Sequence, residues 1–394
     1  MNNQASLEST TLARLRQNWA IFTCLSIAYL AAGYTLLSSS WQAVPAARWL
    51  LLASLATGYL LAVVWRNLAH NRRPGETTLL PNLGWGNWMT MLRGLGIAGV
   101  IGFIFSPRPT GWPAWLPAIL YSLAVIADIL DGFLARKTNH ATRLGVILDL
   151  SFDGLGVLAA AILLVQYGQA PAIYLLVAAA RYLFLAGEWL LRRLGRATQP
   201  LPPSLQRRIF ASLQFVFIAV ALYPVFPPSL TRFAALCFAL PFLVGFGRDF
   251  LLVGGFIHPA AAPAQLQRII PLLQFSLRLV LAGLAIVSAA QIFRQGITQT
   301  LPGLALLLLQ TLAAILILLG VAVRISAGVA LGLLGLSQHL LSPALLQYIQ
   351  VAAYCALVFL GGSRYSLWTP EEIWYRNPLG QAHHRSQGRT SDET

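Results

Sequence analysis

Four aspartates, Asp128, Asp131, Asp149 and Asp153, lie in one stretch of sequence that is otherwise largely apolar. The chain has only twelve acidic residues, so this stretch holds a third of them. Carboxylates among Ile, Leu, Val and Phe are costly to desolvate, and at membrane depth an ionisable side chain is by default a candidate functional residue. A divalent cation bound by several of these carboxylates would offset that cost.

The spacing of the aspartates predicts how they come together. The first two are three residues apart and the last two are four apart, so each pair lies on one helix face. The polar segment 137–143 between the pairs predicts a short turn at a membrane surface. Oxygen ligands without a neighbouring cysteine suit Mg²⁺ or Mn²⁺ better than zinc. Four carboxylates can hold two such ions, and paired ions roughly 3.5–4 Å apart are common in phosphoryl chemistry.

Residues beside the aspartates suit a phosphate ligand. Gly132 has no side chain, which permits close approach of a ligand or of a neighbouring backbone. Arg136 and Lys137 then place positive charge where a phosphate or a polar head group would meet it.

The stretch matches the pattern D-x2-D-G-x2-A-R-x8-G-x3-D-x3-D at every fixed position, and this pattern resembles the signature of the CDP-alcohol phosphatidyltransferases, integral membrane enzymes of phospholipid synthesis. The matching residues are Asp128, Asp131, Gly132, Ala135, Arg136, Gly145, Asp149 and Asp153. Eight fixed identities at fixed gaps are far more specific than a single glycine motif. The resemblance implies transfer of a phosphatidyl group from a CDP-activated lipid, such as CDP-diacylglycerol, to an alcohol acceptor with release of CMP.

The resemblance also implies a role for each motif residue. The last aspartate of the family motif acts as the base, which maps to Asp153. Asp128, Asp131 and Asp149 are then mainly metal ligands, and Asp153 can share a metal ion. The small residues would leave room for the cytidine of the CDP-lipid, and the arginine would meet one of its phosphates. These four predicted CDP-lipid-binding residues are Gly132, Ala135, Gly145 and Arg136.

A polar stripe precedes the motif, in the segment PNLGWGNWMTMLRG at residues 81–94. It consists of Asn87, Thr90 and Arg93, which recur at the helical spacing of three. Alone, such a stripe is typical of the wet face of a helix that enters the membrane. Members of the family, however, often begin their first core helix with Asn-x2-Thr-x2-Arg on the active-site side. The resemblance therefore predicts that these three residues face the CDP-lipid.

Composition places the chain in a membrane. Of its 394 residues, 57% are hydrophobic and only 10% are charged, whereas a soluble domain carries about 25% charged residues. The net charge of +15 is almost entirely due to arginine, since Lys137 is the only lysine. These arginines cluster at the ends of apolar runs, which is typical of the positive-inside bias and of contact with anionic lipid head groups. The basic charge therefore does not indicate a nucleic-acid partner.

Apolar runs of membrane-spanning length predict an all-α polytopic membrane protein with about twelve transmembrane helices. A six-helix CDP-alcohol phosphotransferase core follows an N-terminal helix hairpin and precedes a C-terminal four-helix bundle. The predicted division is an N-terminal hairpin at 1–80, a catalytic core at 81–254, a linker at 255–267, a C-terminal region at 268–375 and a polar tail at 376–394.

The C-terminal region resembles the four-helix DoxX-like membrane proteins. The resemblance is carried by LLGVAVRISAGVALGLL at 318–334 and by GGSRYSLWTPEE at 361–372. The alternative is an accessory bundle that packs against the catalytic core or joins two copies of it in a homodimer.

The distribution of arginine predicts the topology. Basic loops near 66–80, 136–143 and 192–208 fall on one side of the membrane, which is also the side of the aspartates. The opposite loops carry only Arg108. The positive-inside rule then predicts an active site that faces the cytoplasm. An even number of helices places both termini in the cytoplasm as well. The predicted location of the protein is the plasma membrane of a prokaryote.

The acceptor alcohol is less constrained. Arg181, Arg193 and Arg208 favour a phosphorylated acceptor, such as glycerol 3-phosphate or an inositol phosphate, because a bidentate guanidinium suits phosphate. Inositol and serine remain open. Arg181 has the alternative of an ion pair with Glu188 within the bundle, and the positive-inside bias alone explains Arg208.

Two other functions fit part of the sequence. A cation-coupled transporter would use the intramembrane aspartates to bind its ion, but such proteins are often built from two related halves, and no internal repeat is evident. A membrane scaffold with a degenerate core is the second alternative. The intact motif argues against it, because an unused site has no physical reason to keep four costly aspartates.

Overall fold

The computed structural model describes residues 2–201, 204–258, 264–294, 299–337, 345–362 and 365–371. Within these residues the chain forms twelve α-helices and no strand, which confirms the predicted all-α class. The helices are α1 (Asn2–Ser40), α2 (Ala43–Asn67), α3 (Gly84–Gly102), α4 (Leu116–Lys137), α5 (Arg143–Gln166), α6 (Leu175–Arg193), α7 (Leu205–Ala221), α8 (Pro228–Val253), α9 (Ala264–Arg294), α10 (Leu301–Leu319), α11 (Val323–Ser337) and α12 (Leu345–Leu360).

Eight of the described helices are long and apolar enough to cross a membrane: α1, α2, α4, α5, α6, α8, α9 and α10. The protein is therefore a polytopic membrane protein, as the composition predicts. Helices α11 and α12 have 15 and 16 residues, and α3 and α7 also fall outside the set of eight. A full crossing by these four helices stays a prediction.

Helix α1 begins at Asn2 and so includes the polar N-terminal segment of the chain. Leu12, Leu15 and Trp19 continue an apolar face at helical spacing, and Leu15 is fully buried in the hydrophobic core. This packing extends the helix beyond the apolar run.

The chain divides into two compact units, and the first comprises residues 1–113, 120–156 and 376–394. The last of these segments lies outside the described residues. In the first unit α2 packs between α1 and α3. The indole Nε1 of Trp49 on α2 donates to the Gly99 carbonyl oxygen of α3 at 2.9 Å. Met91 of α3 and Phe152 of α5 belong to the same buried cluster, so the N-terminal hairpin covers the helices that carry the motif.

The second unit comprises residues 114–119 and 157–375. In it α8 packs against α6, α7 and α12, and α12 also packs against α9. Phe359 of α12 lies 4.9 Å from Phe210 of α7 and 5.3 Å from Phe238 of α8, measured between ring centroids. The predicted domain boundaries stay a prediction, and residues 259–263 of the predicted linker lie outside the described residues.

The start of α5 is fixed by its capping residue and by a close approach to α3. The hydroxyl of Thr142 accepts a hydrogen bond from the backbone N–H of Gly145 at 3.0 Å, as an N-cap side chain does. A Cβ at position 145 would lie 2.7 Å from Oδ1 of Asn87 on α3. That carboxamide is itself held by hydrogen bonds, so it has little freedom to move aside. Glycine at 145 therefore lets α5 lie against α3.

We expect Gly145→Ala to lower the free energy of unfolding by about 1–3 kcal/mol, because the added methyl group displaces the Asn87 carboxamide. Gly58→Ala is the matched control, since a Cβ there meets nothing within 4 Å. In a helix interior this control should raise stability by up to about 1 kcal/mol. Denaturant unfolding in detergent micelles, followed by helical circular dichroism, measures both variants. Equal stability changes in the two variants would contradict the close approach.

Candidate active site

Three helices of the first unit bring five charged side chains together. Arg93 extends from α3, Asp128 and Asp131 from α4, and the other two aspartates from α5. Arg93 is only 3% exposed and forms an ion pair with each carboxylate. Its guanidinium contacts Asp128, lies 3.6 Å from Asp131, 2.8 Å from Asp149 and 3.1 Å from Asp153. One arginine is thus the common partner of all four motif aspartates.

The carboxylates are close enough to act on one ligand. One oxygen from each of Asp128, Asp131 and Asp149 lies within 4.8 Å of the others. Like charges at that separation repel by about 3 kcal/mol per pair at an effective dielectric constant near 20. Arg93 neutralises only one of four negative charges. The site therefore keeps a strong preference for further positive charge.

The four aspartates differ in how firmly they are held. Asp131 is the most buried, and its Oδ2 accepts a hydrogen bond from the Thr90 hydroxyl at 2.8 Å. The side chains of Asp128 and Asp149 are 41% and 46% exposed. Asp131 is therefore anchored inside the protein, whereas Asp128 and Asp149 offer oxygens to a ligand that arrives from outside.

Asn87 lies deep in the protein, where its side chain links three segments. Its Nδ2 donates to the Leu83 carbonyl oxygen at 2.7 Å and to Oδ1 of Asn71 at 3.1 Å. Its carboxamide also pairs with the hydroxyl of Thr142. The contact with the CDP-lipid expected of Asn87 stays a prediction. Sequence reasoning did not identify Asn71 or Thr142, because neither belongs to a recognisable pattern.

The small motif residues have structural neighbours of their own. A Cβ at Gly86 of α3 would lie 2.9 Å from Cβ of Ala135, so a larger residue at 135 would push α3 and α4 apart. A Cβ at Gly132 would lie 3.1 Å from Nη1 of Arg136, which is exposed near the end of α4. The space that these residues would leave for a cytidine stays a prediction.

The three predicted acceptor residues all lie in the second unit. Arg181 is half-buried on α6, Arg208 is exposed on α7, and Arg193 stacks over the ring of Trp189 at 4.9 Å. Glu188, the alternative partner of Arg181, pairs with Arg192 one helical turn later. Acceptor binding by these arginines stays a prediction.

Comparison with known proteins agrees with the motif. Residues 84–245 match the family model described as CDP-alcohol phosphatidyltransferase. No solved structure matches the chain. Three similar proteins carry the name CDP-diacylglycerol–glycerol-3-phosphate 3-phosphatidyltransferase. The one from Cereibacter sphaeroides is 34% identical over 91 residues, which are 23% of this chain and 40% of the relative. The Bacillus subtilis protein is 43% identical over 70 residues, 18% of this chain and 36% of the relative.

The third relative, from Escherichia coli, is 36% identical over 59 residues, which are 15% of this chain and 32% of the relative. The chain thus spans less than half the length of each of these three relatives. The family match, in contrast, extends from the start of α3 into α8 and includes every residue of the aspartate motif. Residues 84–245 of this membrane protein therefore form a CDP-alcohol phosphatidyltransferase domain.

Proposed function

We propose that this protein transfers a phosphatidyl group from a CDP-activated lipid of the CDP-diacylglycerol type to an alcohol acceptor and releases CMP. The observation that carries the proposal is the convergence of the motif aspartates within a matching family domain. A transporter or a scaffold would not require this motif. The reaction breaks the pyrophosphate bond between CMP and the lipid phosphate and forms a new ester bond to the acceptor oxygen.

The residues present fit a divalent cation. The three closest carboxylates supply hard oxygen ligands within 4.8 Å of one another, which suits Mg²⁺ or Mn²⁺. Asp128, Asp131 and Asp149 would hold the first ion, and Asp153 would contribute to a second. Such ions, when bound, neutralise the pyrophosphate of the donor and the charge that develops on CMP. Arg93 adds one fixed positive charge beside the same carboxylates.

Asp153 is the base in this proposal. An acceptor hydroxyl is a weak nucleophile at neutral pH and needs a positioned group to take its proton. Asp153 lies outside the group of three closest carboxylates, although Arg93 still holds it at 3.1 Å. Its side chain is 31% exposed, so an acceptor can approach it. These features support Asp153 as the carboxylate that accepts the proton.

The proposed acceptor is phosphorylated. The relatives named above act on glycerol 3-phosphate by their names, and an inositol phosphate offers the same phosphate chemistry. Arg181, Arg193 and Arg208 would bind this phosphate through their guanidinium groups. The arrangement of basic loops supports an active site on the cytoplasmic side of a prokaryotic plasma membrane. Both termini on that side, and a homodimer, belong to the same proposal.

The reaction itself is tested by CMP release from CDP-diacylglycerol with Mg²⁺ or Mn²⁺, with glycerol 3-phosphate, inositol 1-phosphate, inositol and serine as acceptors. We expect release with one phosphorylated acceptor. We also expect Asp153→Asn to abolish it, because the amide cannot take the proton. Glu8→Gln is the control, because Glu8 is exposed on α1 and lies outside the motif. Normal turnover by folded Asp153→Asn protein would refute the base assignment.

The metal proposal is tested by Asp128→Asn. Loss of one carboxylate ligand should raise the Mg²⁺ concentration for half-maximal activity by about 10-fold or more and lower the maximal rate. The titration is run on wild-type, Asp128→Asn and Glu8→Gln proteins at saturating donor and acceptor. If the Mg²⁺ dependence of Asp128→Asn equals that of the wild type, Asp128 is not a metal ligand.

A further inference from the structure

Asn71 is a buried asparagine with every polar atom of its side chain and backbone engaged. It is 0% exposed and lies after α2, before the residues that match the family. Its backbone N–H donates to the Leu68 carbonyl oxygen and its own carbonyl accepts from Leu80 N–H. Its side-chain Nδ2 donates to the carbonyl oxygens of Leu80 at 3.1 Å and Asn82 at 2.8 Å. Asn71 therefore closes the connecting segment 71–82 onto itself.

The remaining side-chain atom, Oδ1 of Asn71, reaches α3. It accepts a hydrogen bond from Nδ2 of Asn87 at 3.1 Å. Thr142 can donate its hydroxyl hydrogen to Oδ1 of Asn87 at 3.3 Å while it accepts from Gly145 N–H at 3.0 Å. In this arrangement both amide hydrogens of Asn87 and both of Asn71 have an acceptor. A fully satisfied buried network of this kind fixes one geometry, and a partly satisfied one does not.

Other contacts join the same segment to the turn between α4 and α5. Arg143 N–H, at the start of α5, donates to the Arg72 carbonyl oxygen at 2.9 Å. The side chain of Arg73 donates to the Asn139 carbonyl oxygen at 3.1 Å. Nε2 of His140 lies 3.0 Å from the Asn82 carbonyl oxygen. Segment 71–82 thus holds the turn that separates the two aspartate pairs.

This network and the aspartate cluster are two attachment points along the same pair of helices. Asn87 and Arg93 are six residues apart on α3, and Thr142 and Asp149 are seven residues apart on either side of the α5 start. At 1.5 Å per residue, the two points are about 9 Å apart along α3 and about 10.5 Å apart along α5. A slip of α5 along α3 at the first point would therefore move Asp149 relative to Arg93 by a similar amount.

We propose that Asn71 is a positioning residue for the aspartate site, through which the segment that follows the N-terminal hairpin fixes the register of α5 against α3. Its consequence for metal binding rests on the proposed function. Asn71 touches neither an aspartate nor Arg93 in its described contacts, so its effect passes through Asn87 and Thr142. The N-terminal region 1–80 then contributes to the position of the aspartates, although no motif residue lies in it.

The test compares two lesions with two matched controls in the full-length protein. Asn71→Leu and Thr142→Val remove the polar links with little change in volume. Thr142→Ser keeps the hydroxyl, and Asn67→Leu makes the same substitution four residues earlier, where the amide bonds only the Val63 carbonyl oxygen of its own helix. Mn²⁺ binding without substrate is measured by electron paramagnetic resonance, and hydrogen exchange of residues 139–149 by mass spectrometry.

We expect the two lesions to weaken Mn²⁺ binding by about 10-fold and to speed exchange at 139–149, because loss of the contacts that orient metal ligands commonly costs 10–100-fold in metal affinity. The controls should stay within about two-fold of the wild type. The double variant Asn71→Leu/Thr142→Val should resemble either single lesion, since both act on one network.

The inference would be overturned if Asn71→Leu bound Mn²⁺ with the affinity of the wild type. It would also be overturned if the control Asn67→Leu lost as much Mn²⁺ affinity as Asn71→Leu. Failure of the proposed reaction has a different signature, because a wild-type protein that binds Mn²⁺ but releases no CMP leaves this test intact. If the wild type binds no Mn²⁺, the hydrogen-exchange measurement alone tests the positioning role of Asn71. Unchanged exchange at 139–149 in Asn71→Leu then overturns the positioning role.

Discussion

Mutual repulsion among four carboxylates is the physical constraint on which the site depends. Oxygens of Asp128, Asp131 and Asp149 lie within 4.8 Å of one another, and Asp153 pairs with the same arginine, in a protein with little other negative charge. Arg93 reduces this repulsion from a buried position on α3, where it contacts aspartates of both α4 and α5. Three helices must therefore pack with their charged side chains around one guanidinium. Any contact that sets the axial position or the separation of α3, α4 and α5 affects the geometry of the aspartate site.

Small residues and polar links supply that control in different ways. Ala135 against Gly86 brings α4 close to α3, and Gly145 against Asn87 does the same for α5. The hydrogen bonds of Asn71 and Thr142 then fix the position along the helix axes, which apolar packing alone specifies weakly. The N-terminal hairpin covers these helices and supplies Asn71 at its end. Residues outside the family domain thus take part in the geometry of the motif.

The sequence predicted the all-α class, the membrane location and the pairing of the aspartates on two helices. These follow from composition, run length and helical periodicity, which are local properties of the chain. It also marked Arg93 as a polar residue on the active-site side, but not as the common partner of four carboxylates. That role depends on how three helices pack, and a spacing rule within one helix carries no information about its neighbours. The same reason hides Asn71 and Thr142, whose partners are 16 and 55 residues away along the chain.

The central claim is that positive charge at Arg93 holds the four aspartates together and that a divalent cation can share this task. The most direct measurement is the thermal unfolding of Arg93→Gln and wild-type protein in EDTA and in Mn²⁺. Removal of one partner from a buried charge cluster typically costs about 3–5 kcal/mol. The account predicts that Arg93→Gln unfolds at a clearly lower temperature than the wild type in EDTA and that Mn²⁺ narrows this gap. Equal unfolding temperatures in EDTA would contradict the role of Arg93, and a gap that Mn²⁺ leaves unchanged would contradict a cation site at these aspartates.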